Sequence, residues 1–203
     1  MKKKLFFTGS VFRFYIPEIG KYGFCKFFDF KHLSVFHGLL AQVFDKFTDT
    51  EDNTIDDLKT CDWLFGPRSI YKWPDLKKDT GWKLLGILNS AKDDFVPDFK
   101  EVQAFPTVVE DESKKGPWYP IHNLTQRGEN CNYGQVKHLE QIILTPTIGL
   151  ILRTGMEYCR INGLNVGDYY DLSKAGIKST YLQMINVPIY STIPYEIRGK
   201  SIV

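Results

Sequence analysis

The densest run of side chains able to do chemistry is acidic: Asp49, Glu51, Asp52, Asn53, Asp56 and Asp57 crowd one short segment. Hard cations take several oxygens from a single loop, so calcium binding is the first chemistry to weigh. The pattern departs from an EF-hand at two places. Thr54 stands where glycine must turn, and Thr60 where a bidentate glutamate should close the site. The segment therefore reads as a solvated loop or as a charged contact surface for a basic partner. Cys25, His32 and His37 with Asp29 and Asp45 contain the residue types of a nucleophile, a base and an orienting carboxylate. Such a set needs adjacency in space, which this loose spacing does not predict. His122 and His138 stand alone and read as ordinary hydrogen-bonded histidines.

Cys25, Cys61, Cys131 and Cys159 form no CxxC pair and have no histidine at ligand spacing, so zinc is not expected. They read as free thiols in a reducing cytoplasm. The chain has no GxSxG, P-loop, GxGxxG or HExxH motif. No catalytic, cofactor-binding or metal-ligating residue is assigned, and no cofactor is expected. The sequon Asn123-Leu124-Thr125 would matter only in a secreted eukaryotic chain. The aromatic and basic interleaving in Phe12-Arg13-Phe14-Tyr15 and Phe24-Cys25-Lys26-Phe27-Phe28 has the look of a nucleic-acid stacking sheet. Alternation instead puts Phe12 and Phe14 together on one inward side and the basic residues on the outward one, which favours core packing.

The elements that must position these groups belong to a folded chain. It has 203 residues, 43% hydrophobic and 15% aromatic, enough for a core without disulfides or metal. A net charge of +2 carries no nucleic-acid footprint. Lys2-Lys3-Lys4 resembles a signal-peptide start, but Thr8-Gly9-Ser10 and Arg13 interrupt any apolar stretch, so export is not expected. The longest apolar stretch, residues 142–152, is too short and too broken by Thr145, Pro146 and Thr147 to span a membrane. A soluble, cytoplasmic protein is expected.

Residues 9–105 show short aromatic-rich runs between Gly, Pro and polar turns, the pattern of antiparallel β structure. A strand over residues 9–16 closes at Pro17, and residues 22–29 form its hairpin partner. Residues 33–47 fit a helical stripe and a strand equally well. Two short strands are expected around Gly66-Pro67, another over residues 81–88, and a last one over 97–105. Residues 106–132, with Pro106, Pro117 and Pro120 and clustered charges, read as a connecting loop. Beyond it, Thr145 and Pro146 start a helix whose stripe is Ile148, Ile151, Leu152, Gly155, Met156 and Cys159, and Gly163 stops it. Ser173 caps a second helix, and residues 187–203 are extended. The fold class is α+β: a mainly antiparallel β N-terminal half, as a twisted sheet or partly open barrel, with a helix-containing C-terminal half. The expected units are 1–105, the loop 106–132, and an extension 133–203 packed on the first.

Taken in order, Gly9-Ser10-Val11-Phe12, Lys21-Tyr22-Gly23-Phe24-Cys25-Lys26, Gly81-Trp82-Lys83-Leu84-Leu85-Gly86 and Pro97-Asp98-Phe99 resemble the bacterial Immunity protein 26 family. The resemblance covers residues 9–105 and not the last seventy or so positions. It implies a strand around residues 35–44. It also implies an immunity protein that binds and neutralises a cognate toxin domain of a polymorphic toxin system without chemistry. Contact candidates are Trp63, Arg68, Tyr71, Trp73, Trp118 and Tyr119 with the acidic loop. Two other functions stay open: an enzyme of unknown class using the C-terminal half, and a nucleic-acid or regulatory binding module.

Overall fold

Pro17 and Gly20 bracket the turn of the first hairpin, and Gly20 takes the left-handed φ of 65° that a tight reversal asks of one residue. The computed structural model describes residues 6–34, 36, 38–52, 54–79, 81–89 and 95–202. Around that turn, β1 (Ser10–Ile16) pairs antiparallel with β2 (Lys21–Asp29). The ambiguous stretch resolves as a strand, β3 (Leu39–Thr48), followed by β4 (Arg68–Ser69) and β5 (Trp82–Ile87). They form one open antiparallel sheet in the order β4-β3-β2-β1-β5. Of the two strands expected around Gly66-Pro67, only β4 forms. The earlier one is reduced to a single bridge between Phe44 and Trp63.

Alternation divides the sheet cleanly. Phe12, Phe14, Cys25, Phe27, Leu39, Ala41 and Val43 face Leu150 of the long helix. The opposite side carries Val11, Phe24 and Phe44 over Leu58, and Phe28 and Leu40 under Phe99, Ile121 and Leu124. This second side was expected to face outward. It is covered, and Arg13 and Lys26 on it are 4% and 2% exposed. The cover comes from Glu51 and Leu58 over Arg13, Val11, Phe24 and Phe44, and from Phe99 and residues 106–132 over Phe28 and Leu40; residues 106–132 are not a plain connection. They contain β7 (Trp118–His122) and β8 (Gln126–Arg127), which join β6 (Phe99–Val102) in a separate sheet ordered β6-β7-β8. Leu124, at the tip of that second hairpin, holds a φ of 61° while fully buried, so apolar burial there outweighs a backbone cost of about 1–2 kcal/mol.

A short α1 (Tyr133–Val136) is closed by a capping box between Asn132 and Gln135. Then α2 (Thr147–Ile161) begins one residue later than expected, with Pro146 as its N-cap, and ends where Gly163 takes a φ of 68°. Thr145 does not cap it. Its hydroxyl donates to the Ile143 carbonyl and accepts from Arg68. Ile148, expected in the buried stripe, is 58% exposed, and Leu150 is the residue that reaches the sheet. Gly155 lets α2 touch β1: a Cβ there would lie 2.8 Å from Ile16 and 1.8 Å from the Tyr170 hydroxyl. α3 (Ala175–Ile185) packs on α2. Its N-cap is Lys174, and Ser173 instead bonds the Asp171 carboxylate. The final segment is not extended throughout but makes two 3-10 turns, Tyr190–Thr192 and Tyr195–Ile197. No helix among the described residues is long and apolar enough to cross a membrane.

Candidate functional site

The covered second face of the main sheet is not completely filled. Between β2 and β3, residues 58–63 and the C-terminal segment lies an open cleft of about 530 Å3, within the range of ligand-sized clefts. Its floor is the cross-strand pair Lys26 and Gln42 with Phe28 and Leu40. Trp63 stacks on Phe44 at 4.5 Å on one wall. The other wall is built around Arg198, whose Nη1 lies 3.1 Å from Asp62 and whose Nε and Nη2 donate to the carbonyls of Ile193 and Ser191. Its guanidinium covers the ring of Tyr190 at 5.1 Å. Burial pushes the Tyr190 hydroxyl up to about 12, so it stays a neutral hydrogen-bonding group.

The C-terminal segment that forms this wall is pinned by Asp98. The Asp98 amide donates to Gly199, and its carboxylate accepts from the amide and hydroxyl of Ser201 at 2.9 and 2.8 Å. His122 completes a serine, histidine and aspartate group that sequence spacing did not suggest. Its arrangement is wrong for nucleophilic catalysis: Asp98 Oδ2 and Ser201 Oγ both approach Nδ1, at 3.3 and 3.4 Å. A triad needs them on opposite ring nitrogens. The cluster is a tether.

Beside the cleft, two carboxylates of the acidic segment, Glu51 and Asp49, are tied to the first hairpin. Arg13 donates Nη1 to the Glu51 carbonyl at 2.6 Å and Nη2 to its carboxylate. Tyr22 donates to the same carboxylate at 3.0 Å, and Lys21 to Asp49 at 2.7 Å. Asp57 caps Thr54 through its amide and hydroxyl, and Asp56 meets Lys59. Glu51 is held below the usual carboxylate range chiefly by Arg13, and Asp57 by Thr54, so both are charged at neutral pH. Asp49, Glu51, Asp52, Asp56 and Asp57 are all exposed. Leu58 and Lys59, immediately after them, line the cleft, so ridge and cleft form one continuous surface.

The other candidates are dispersed. Cys25 is enclosed on the helix side of the sheet, and burial raises its thiol well above the ordinary range. His32 is exposed in a distant turn. His37 and Asn53 lie outside the described residues. Cys61 reaches the cleft but burial raises its thiol too, which removes thiolate character. All four cysteines are unpaired. Among the described residues no three His, Cys, Asp or Glu side chains converge on a metal position. Of the contact candidates, Trp118 and Arg68 are core residues, Trp73 stacks on Phe27, and Tyr119 lies under Arg127 at 3.8 Å. Tyr71, 69% exposed, and Trp63 at the cleft remain accessible.

Arg68 instead joins a buried ion network. Glu140 receives Arg68 Nη1 at 2.6 Å and Arg153 Nη2 at 3.2 Å, and Glu157 lies 3.5 Å from Arg153 and 3.6 Å from Arg160. Lys100 and Glu112, 0% and 1% exposed, form a second pair at 2.6 Å. The network ties β4, α2 and the segment before α2 into one unit. No family model, curated protein or solved structure matches the chain.

Proposed function

We propose that this protein acts by binding, as a cytoplasmic immunity protein that neutralises a cognate toxin domain without chemistry of its own. One observation carries the reading: within an exposed row of carboxylates, Glu51 is held at its carbonyl and carboxylate by a guanidinium, Arg13, that is itself 4% exposed, and Asp49 is held by Lys21. A free acidic loop would have to be ordered on association. Here the Asp49 and Glu51 side chains are fixed in advance, which removes part of the entropic cost of binding. Its field attracts a basic partner such as a nuclease toxin, whose substrate groove must itself attract phosphate. The adjoining cleft, with Trp63 and Tyr190 on its walls, accepts an anchoring side chain from that partner.

The test is to neutralise Asp52, Asp56 and Asp57 together, leaving Glu51 in place on the buried Arg13, and to measure association with the toxin domain encoded beside this protein. The association rate should fall by about tenfold or more at low salt and lose most of its ionic-strength dependence, while dissociation changes little. An unchanged association rate refutes the role of the ridge.

A further inference from the structure

A second cavity, of about 320 Å3, lies between the N-terminal turns of α2 and α3 on the helix side of the molecule, away from the cleft. Its wall is partly apolar, from Ile143, Leu144, Ile148 and Leu152, and its charged groups are all of one sign. Arg68 and Arg153 are in its wall together with the hydroxyl-bearing Thr145, Ser179 and Thr180, and no Asp or Glu lines it. Both arginines are buried, at 3% and 2% exposure, yet Arg153 Nη1 and Arg68 Nε have no hydrogen-bond partner. Buried donors left unmade are costly, more so on a charged group.

Charge bookkeeping points the same way. The guanidiniums of Arg68, Arg153 and Arg160 share two carboxylates, Glu140 and Glu157, which leaves this linked group one negative charge short. Around the same space, α2 starts without a side-chain cap, and its first-turn residues Ile148 and Gly149 lie in the wall. Helix geometry leaves such amides unpaired and positive. One neutral group partly fills the deficit: the Gln183 carboxamide oxygen accepts from Arg68 Nη2.

We infer that this cavity is a binding site for a phosphate-type oxyanion, which displaces the Gln183 oxygen from Arg68, engages Arg153 and accepts hydrogen bonds from Ser179 and the start of α2. The site stands independently of the toxin reading. Its ligand is either free phosphate or the phosphoryl group of a small metabolite.

Arg153→Gln is an obvious variant, but it disturbs the ion network and can fail through folding. Gly176→Leu is the better one. Gly176 lines the cavity in the first turn of α3, and a Cβ there meets nothing within 4 Å, so a larger side chain is tolerated at the cavity wall without disturbing the ion network. The thermal midpoint is measured for both proteins in inorganic phosphate, glycerol 2-phosphate and sodium chloride at equal ionic strength. At about ten times its Kd, phosphate should raise the wild-type midpoint by roughly 3–6 °C over chloride and leave Gly176→Leu unmoved. A larger response to glycerol 2-phosphate assigns the site to phosphorylated metabolites, and a larger one to phosphate assigns it to the free ion. No difference from chloride with either ligand, or equal shifts in the two proteins, overturns the inference.

Discussion

Replacing Glu140 by glutamine should be among the most damaging single substitutions in this protein. The carboxylate is 3% exposed, lies 2.6 Å from Arg68 and 3.2 Å from Arg153, and both guanidiniums are equally buried. Glutamine keeps the shape and one acceptor but removes the charge that compensates two desolvated cations. Removing one partner of a buried pair costs about 3–5 kcal/mol, because the penalty of leaving the other charge uncompensated is added to the lost attraction. With a urea dependence of about 2 kcal/mol per molar, the unfolding midpoint should fall by roughly 1.5–2.5 M. Asp56→Asn is the control: the Asp56 and Lys59 side chains are 72% and 59% exposed, and no measurable change is expected. Acid titration adds a second reading. Burial alone pushes Glu140 up, but Arg153 and Arg68 outweigh it and hold the carboxyl below its ordinary value. A lowered folded-state value means that this stabilisation is present above the ordinary glutamate range and is lost as pH falls through the lowered one. Glu140→Gln should therefore flatten the acid limb of the stability profile. A loss below about 1 kcal/mol with an unchanged acid limb would refute the claim that this network carries buried charge.

Gly155→Ala should destabilise by about 1–3 kcal/mol despite its better helix propensity, because its Cβ would meet the buried Tyr170 hydroxyl. That hydroxyl has no hydrogen-bond partner, so Tyr170→Phe should recover part of the loss; equal midpoints with and without Tyr170→Phe contradict the contact. His138 donates Nε2 to the Lys200 carbonyl at 2.6 Å in a buried position, and burial, with Lys100 nearby, lowers its basicity. The unfolded chain then binds the proton more readily, so stability should be full above about pH 6.5 and decline below it. Urea midpoints measured across that window should show a slope in wild type that is reduced in His138→Gln.

What was legible in the chain is what local rules control. Pro17 and Gly20 end one strand and turn into the next, and Pro146 and Gly163 bound α2 to within a residue. The tie between helix and strand over residues 33–47 was a true one, since Leu39, Ala41 and Val43 face one core and Leu40 and Phe44 another. A strand buried on both sides loses the alternation that identifies it. For the same reason Arg13 and Lys26 looked outward: the elements that cover them are distant in sequence. β7 was hidden by Pro117 and Pro120, and Pro120 sits in its ladder against Lys100 in a short, otherwise aromatic and apolar strand. The ion network was invisible because Arg68 and Glu140 are 72 residues apart, and nothing in either neighbourhood marks its partner. The acidic run was visible as composition. That Arg13 and Tyr22 would lock it could be known only from the pairing of β1 with β2.

We propose that the protein works by stoichiometric occupation of a toxin. The direct measurement is residual activity of the toxin domain encoded beside it, titrated with this protein at toxin concentrations well above Kd. Activity should fall linearly to a sharp end point at one equivalent, with a 1:1 complex isolated there and growth protected in co-expression. Neutralisation far below one equivalent would mean turnover and contradict it, as would protection with no complex at all.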